Sequence, residues 1–352
     1  MTSRQNTRVI QIGNQKIGGG NPILIQSMTN IPAKKRNESL IQINSLAGSG
    51  AELVRLAVLD MEDAQAIQEL SEKSPVPLIA DIHFDYRLAI ESLNRGIAGL
   101  RLNPGNIREK DKVKHIVDLA ALKKVPIRIG VNAGSLDKTR YPHPTAANMV
   151  KSALEHIQIL EEIGFYEIKV SLKSSDIRTM IEANRLFSQE RDYPLHLGVT
   201  EAGTLISSAV RSSIGIGTLL LEGLGDTLRV SVSGDPVKEL KIAKEILISL
   251  KLRKGVLFIA CPTCGRTVVD TEKIALELEE EFGNLDEKLT IAVMGCVVNG
   301  PGEAKEADIA LIGGEKESLI YLGGSFYKKI PTSKILAEMK EAVSVFLNKR
   351  EK

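Results

Sequence analysis

The sequence predicts an α/β protein, a (β/α)₈ barrel followed by a small C-terminal α/β domain. Three observations lead there. Between residues 22 and 250, short β-rich apolar runs alternate with segments whose apolar residues recur at helical spacing. The Gly-rich nucleotide turn that an open doubly wound sheet carries after its first strand is missing. Beyond LKLRKG the strand–helix pattern restarts over 251–352, and that stretch holds every cysteine of the chain.

In order, VIQIGNQKIGG suggests a hairpin around Gly-Asn. The barrel strands are expected at PILIQSM (22–28), ELVRLAV (52–58), PLIADIH (77–83), GLRLNPG (99–105), PIRIGVN (126–132), EIKVSLK (167–173), PLHLGVTE (194–201) and TLRVSVS (227–233). Stretches such as DAQAIQELSEKS, ALEHIQILEEIG and PVKELKIAKEILISL between them have the 3.6-residue apolar period of core-facing helices. GIGT at 215–218 falls inside a helical stretch and reads as close helix packing. The boundaries are therefore 1–250 for the barrel and 251–352 for the second domain. In the latter VLFIA, TIAVMG, ADIALIGG and SLIYLGG read as strands, with EKIALELEEEF and the final SKILAEMKEAVSVFLNKREK as helices.

Composition narrows the function classes. The 352 residues are 43% hydrophobic and 26% charged with a net charge of +2, so nothing global points to nucleic acid or a membrane surface. Trp is absent and aromatics are 4%, which argues against base stacking. No apolar run is long enough to span a bilayer, and the start has no apolar leader core, so a cytoplasmic location is expected. Thiols stay reduced there, and three cannot pair off; metal, catalysis or inert burial are left for them.

Barrel chemistry sits at the C-terminal ends of the strands. Five of the eight runs present a cation there between apolar neighbours: Arg55, Arg101, Arg128, Lys169 and Arg229. Side chains alternate along a strand, so if the apolar flankers face the helices the cations face the barrel interior. Any one arginine is commonly paired with an inward acid. For all five that fails, because Asp81 and Glu201 are the only acids at matching positions. The economical partner is a phosphate or diphosphate, which the guanidinium fork matches. Glu201, a lone carboxylate late in its run, is a candidate general acid or base and equally a salt-bridge partner. His83 reads as a hydrogen-bonding residue, His196 as buried, and His115, His143 and His156 as surface or packing residues.

The cysteines form the second constellation. Cys261 and Cys264 lie in IACPTCGR, and MGCVVNGPGEA (294–304) sets Cys296 seven residues before Glu303. Asn299-Gly300-Pro301-Gly302 is expected to turn the chain back, bringing that carboxylate toward the thiols. A thiol–disulfide motif leaves the third cysteine unexplained. Zinc and an iron–sulfur cluster both stay open on spacing. The oxygen ligand makes a less firmly closed site than structural zinc prefers.

Together these motifs resemble the 4-hydroxy-3-methylbut-2-en-1-yl diphosphate synthase family of the methylerythritol phosphate route to isoprenoids. The resemblance runs nearly end to end: IQSMTN, VRLAV, ADIHFDYR, LRLNPGNI, PIRIGVNAGSL, KVSLKSSD, PLHLGVTEAG, EGLGDTLRVSVSGDP, IACPTCGR and MGCVVNGPGEA. It implies a [4Fe–4S] cluster held by Cys261, Cys264, Cys296 and Glu303, with Glu303 a ligand that gives way to substrate. The implied substrate is 2-C-methyl-D-erythritol 2,4-cyclodiphosphate, opened reductively with loss of water. Its two electrons arrive singly from flavodoxin or ferredoxin. Matching positions imply that Arg55, Arg101, Arg128, Asn132, Lys169, Arg229 and Ser231 hold the diphosphate and that Glu201 donates a proton. A homodimer is also implied. IPAKKRNESL after the first barrel strand departs from the family's Thr/Asp-bearing loop, and SLDKTRYPHPT is shorter than usual. Two other readings compete: a non-redox barrel transferase or lyase on a phosphorylated substrate, with a zinc-stabilised accessory domain, and a non-catalytic metal-binding module.

Overall fold

A computed structural model describes residues 1–107, 109–298 and 300–350. It divides into two compact units, Met1–Leu250 and Lys251–Lys352. The first opens with the hairpin β1 (Ile10–Ile12) and β2 (Gln15–Ile17), whose turn uses Gly13 at φ +58°. The barrel strands follow: β3 (Leu24–Met28), β4 (Leu53–Ala57), β5 (Leu78–Asp81), β6 (Gly99–Arg101), β7 (Ile127–Asn132), β8 (Ile168–Lys173), β9 (His196–Leu197) and β10 (Thr227–Leu228). Their helices are α1 (Arg36–Gly48), α2 (Met61–Lys73), α3 (Tyr86–Asn94), α4 (Lys110–Lys123), α5 (Ala146–Glu162), α6 (Ile177–Glu190), α7 (Leu205–Leu221) and α8 (Val237–Ser249). Asp60, Asp85, Thr145 and Asp176 cap the N-termini of α2, α3, α5 and α6 by accepting backbone N–H bonds.

The strands run in the order β8-β7-β6-β5-β4-β3-β10-β9, all parallel, and a parallel bridge between Val170 and Leu195 closes the ring. That is the expected (β/α)₈ barrel. Its pleat sorts the side chains as the alternation predicts. Val54, Leu56, Leu100, Leu102, Ile127, Ile129, Ile168, Val170, Leu228 and Val230 join one apolar core with the helices. The opposite set points inward. At the N-terminal end, Leu24, Leu53 and Ile79 pack against Ile10, Ile12 and Ile17, so the hairpin plugs the barrel floor. Gly215 serves the close packing read from GIGT: a Cβ there would lie 2.6 Å from Met180 Cε and 2.9 Å from Val199 Cγ2.

The second unit is a five-stranded mixed sheet ordered β11 (Gly255–Ala260), β12 (Lys288–Met294), β13 (Ile309–Ile312), β14 (Glu317–Leu322), β15 (Ser325–Pro331). The first three strands are parallel and the last two antiparallel. Helices α9 (Thr271–Phe282) and α11 (Ile335–Arg350) cover one face through Ile274, Leu278, Met339 and Val343. The short α10 (Gly300–Glu306) covers the other, with Ala304 against Ala292, Met294, Ala310 and Ile312. Two elements were not foreseen. Strand β15 carries Lys328 and Lys329 on a sheet edge, where charge blunts the β signal. Helix α10 occupies the expected turn, which is a correction. Asn299 lies outside the described residues, but Gly300, Pro301 and Gly302 form the helix's first turn, where proline's missing N–H costs nothing.

Candidate functional site

The barrel interior is a cluster of cations too large for its acids. Arg101, Arg128, Lys169 and Lys173 are buried, while Arg55 and Arg229 are partly buried. Asp81, at the end of β5, serves two of them: Arg55 Nε at 3.6 Å and Arg101 Nη1 at 3.3 Å. Burial pushes its carboxyl up, but the charges of Arg55 and Arg101 outweigh that and hold it below its ordinary value. Arg128 Nη1 donates to Ser171 Oγ at 2.6 Å and Arg101 Nη2 to the Gly130 carbonyl at 3.3 Å. Arg55 is lowered to about 10, first by burial and, among its charged neighbours, by Arg229 and Arg101. Burial and then neighbouring guanidiniums push Arg128, Lys169 and Lys173 well below their usual values.

Two acids that sequence reasoning missed complete the set. Glu239, on the first turn of α8, takes Arg229 through both oxygens at 3.1 and 3.2 Å. Asp226, just before β10, accepts from Thr7 Oγ1 and the Leu195 N–H, and burial raises its carboxyl to about 6. Neither lies within an expected barrel strand, so no alternation argument could have flagged them. The statement that only Asp81 and Glu201 could face the cations is thereby corrected. Six cations still face three carboxylates.

Lys173 was also passed over. In the β7–β8 register Lys169 lies level with Arg128, and Lys173 level with Asn132 at the mouth. Four residues of strand, roughly 13 Å, separate the two lysines. Gly198 makes room for the outer one, since a Cβ there would fall 2.6 Å from Lys173 Nζ and from the Arg229 carbonyl oxygen. Lys169 Nζ has no hydrogen-bond partner among the described residues. Asn132 is half-buried at the end of β7, while Ser231, expected inside a strand over 227–233, is half-buried three residues beyond β10, which stops at Leu228.

Glu201 is not late in a strand. β9 stops at Leu197, and Glu201 is exposed in the following loop at φ +55°. That left-handed backbone costs a non-glycine residue roughly 1 kcal/mol and is held where the chain turns sharply. His83 Nε2 lies 3.5 Å from Asp81 and 3.0 Å from Arg101 Nη1. Burial and then Arg101 keep its pKa down, so it is a neutral hydrogen-bonding group. His196 is buried, with Nδ1 2.9 Å from Thr227 Oγ1. His156, lowered to about 4 by burial, accepts from the Gly105 N–H at 3.1 Å. A cavity of about 360 Å³ at the mouth is lined by His83, Arg101, Asn103, Asn132 and His156. A larger one, about 840 Å³, opens at the floor among Gly13, Gly96, Lys124 and Tyr166, but no buried charge converges on it. The chemistry follows the charges.

In the second unit, β11 and β12 deliver the thiols to the C-terminal ends of neighbouring parallel strands. Cys261 follows β11, its N–H donating to the Val293 carbonyl at 3.0 Å, and its sulfur accepts the Gly295 N–H at 3.2 Å. Cys296 is the next residue. Val268 N–H donates to Gly295 O at 3.0 Å, tying the Cys264 loop to the Cys296 loop. Backbone N–H donation from Arg266, with the Thr267 hydroxyl, lowers the exposed Cys264 thiol. Gly300 seats α10, because a Cβ would lie 2.5 Å from Ile312 Cγ2. Glu303 is exposed on that helix's first turn. All three thiols are free, and none is fully buried. Among the described residues, no three His, Cys, Asp or Glu side chains come together tightly enough to hold one metal ion. Free thiols beyond the C-terminal ends of β11 and β12, one of them taking an N–H, are donors of the kind a thiolate-held cluster uses.

Comparison with known proteins agrees along the chain. The family model described as GcpE TIM-barrel domain matches residues 7–244, and that described as GcpE protein C-terminal domain matches 257–345. The chain is 52% identical over 332 residues to 4-hydroxy-3-methylbut-2-en-1-yl diphosphate synthase (flavodoxin) of Geobacter sulfurreducens, covering 93% of this chain and 94% of that protein. It is 49% identical over 351 residues to the protein of that name from Fusobacterium nucleatum, covering 99% of both. A dihydropteroate synthase structure from Xanthomonas albilineans superposes with a TM-score of 0.50 at 13% identity, over 70% of this chain and 98% of that one. That likeness shows the barrel fold alone.

Proposed function

The chain belongs to the GcpE family, and on that premise we propose that it converts 2-C-methyl-D-erythritol 2,4-cyclodiphosphate to 4-hydroxy-3-methylbut-2-en-1-yl diphosphate. The step belongs to the methylerythritol phosphate route to isoprenoids. The reaction opens the cyclic diphosphate reductively and releases one water, taking up two electrons and two protons. The observation that carries this reading is the excess of buried and partly buried cations in the barrel interior: Arg55, Arg101, Arg128, Lys169, Lys173 and Arg229 against Asp81, Asp226 and Glu239. A diphosphate offsets that excess, and the guanidinium edges suit its oxygens.

In this reading Arg55, Arg101, Arg128, Asn132, Lys169, Arg229 and Ser231 hold the diphosphate, with Lys173 added at the level of Asn132. Glu201, exposed in the loop after β9, donates a proton to the departing hydroxyl. Cys261, Cys264, Cys296 and Glu303 hold a [4Fe–4S] cluster, which supplies electrons one at a time when bound. Glu303 is the weaker ligand because carboxylate is harder than thiolate. Flavodoxin, which the relatives' names carry, is the electron donor we favour, with ferredoxin as the alternative. No helix among the described residues is long and apolar enough to cross a membrane, and a reducing cytoplasm suits three free thiols. We also propose a homodimer. Helix α7 supports it by exposing Ile206, Val210 and Ile214, one turn apart on one stripe, with Leu221 beyond.

The test is turnover. Anaerobically reconstituted protein with reduced flavodoxin should form the linear diphosphate product from the cyclic diphosphate. Arg128→Gln should lose about 10- to 150-fold in kcat/KM, the worth of a hydrogen bond to a charged group. No product from the wild type, or an unaffected Arg128 variant, would overturn the reading.

A further inference from the structure

Helix α8 places one carboxylate where the barrel's own hydrogen bonding runs out. β10 has two ladder residues, Thr227 and Leu228, and Arg229 makes one further backbone bond, its N–H to the Leu197 carbonyl at 2.9 Å. Beyond it, the segment carrying Arg229 and Ser231 is no longer held by strand pairing. Glu239 takes over. Its Oε1 accepts from Arg229 Nη2 at 3.1 Å and from the Val232 N–H at 3.2 Å. Its Oε2 accepts from Arg229 Nε at 3.2 Å and from Ser27 Oγ on β3 at 3.5 Å. Only 3% of Glu239 is exposed, so the carboxylate is committed to these four donors.

The pairing fixes which edge of Arg229 is free. Nε and Nη2 are taken by the carboxylate, and Nη1 makes only a weak donation to Met28 Sδ on the neighbouring strand at 3.6 Å, which leaves that edge open to a stronger acceptor. A guanidinium gripped on one side has lost its rotamer freedom before any ligand arrives. The same carboxylate anchors the backbone beside Ser231 and joins β3 to β10, whose ladder has only two residue pairs.

We infer that Glu239 is a positioning residue for the substrate diphosphate: it does not touch substrate, but sets the free edge of Arg229 and the loop bearing Ser231. The inference rests on the diphosphate reading given above. It is tested with the reconstituted holoenzyme in a double-mutant comparison of Glu239→Gln, Arg229→Gln and the pair. Glu239→Gln keeps the size but places an N–H₂ group among donors. It should raise KM for the cyclic diphosphate on the order of tenfold while kcat stays within about twofold. Added to Arg229→Gln, it should change KM by less than about twofold, because the residue it acts through is already gone.

Affinity for inorganic diphosphate, read by calorimetry without turnover, should follow the same order. Glu239→Asp, which retains the charge on a shorter arm, should fall between wild type and Glu239→Gln; if Glu239→Gln does not fold, Glu239→Asp carries the comparison. An unchanged KM in a folded variant would overturn the inference. So would an equal penalty in the Arg229→Gln background, which would mark a general structural role. A wild type that binds inorganic diphosphate but does not turn over the cyclic diphosphate would strike the proposed reaction instead. The calorimetric comparison would then still decide the case of Glu239.

Discussion

At the scale of single residues, the barrel interior concentrates positive charge that its own acids do not neutralise. Lys173 and Lys169 are held well below the ordinary lysine value, first by burial and next by Arg128. An anion among them relieves that strain and raises both pKa values. Between the free and bound values the complex then carries more protons than the free protein. Binding of the cyclic diphosphate to the unreduced enzyme should therefore take up protons, and affinity should fall as pH rises toward the ordinary lysine range. Calorimetry in buffers of different ionisation enthalpy checks the sign. Proton release, or affinity independent of pH, would mean that these lysines are not partners of the ligand. The cyclic diphosphate suits this test because its own oxygens stay ionised across the range.

At the scale of elements, what the sequence showed and what it hid have physical causes. The inward cations were legible because each lies between two apolar residues on a strand, and the pleat leaves one face for them. Glu239 was not, since it lies on a helix's first turn rather than on a strand, and its only sequence signal is an acid in a helical segment. GVTEAG reads as strand and would put Glu201 at its end, whereas the ladder stops at Leu197 and the chain turns through Glu201 in a left-handed conformation. Helix α10 was read as a turn because Gly-Pro-Gly signals a turn when nothing downstream is seen to pack; here Gly300 and Ala304 are buried on the sheet. Lys173 was overlooked because no apolar residue follows it.

Helix α7 carries a prediction of its own. Ile206 is 78% exposed and Ile214 50% exposed on one stripe, more apolar surface than a solvated helix commonly shows. The double variant Ile206→Glu/Ile214→Glu should sediment as a monomer where the wild type sediments as a dimer. A wild-type monomer, or an unaffected variant dimer, would remove α7 from the assembly.

At the scale of the whole molecule, two units with separate cores bring two kinds of chemistry to one chain. The barrel supplies a polycationic interior closed at its floor by a hairpin. The mixed sheet supplies three uncommitted thiols at the ends of its parallel strands, with Glu303 on the short helix that follows. Charge recognition alone would suit many phosphate-handling barrels; in the proposed reading, a redox centre on the three thiols would make this one a reductase. Iron and acid-labile sulfide in anaerobically purified protein test that claim most directly. About four of each per chain are expected, as the cluster type requires, whereas colourless protein holding a single zinc, or no metal after reconstitution, would contradict a cluster-bearing reductase.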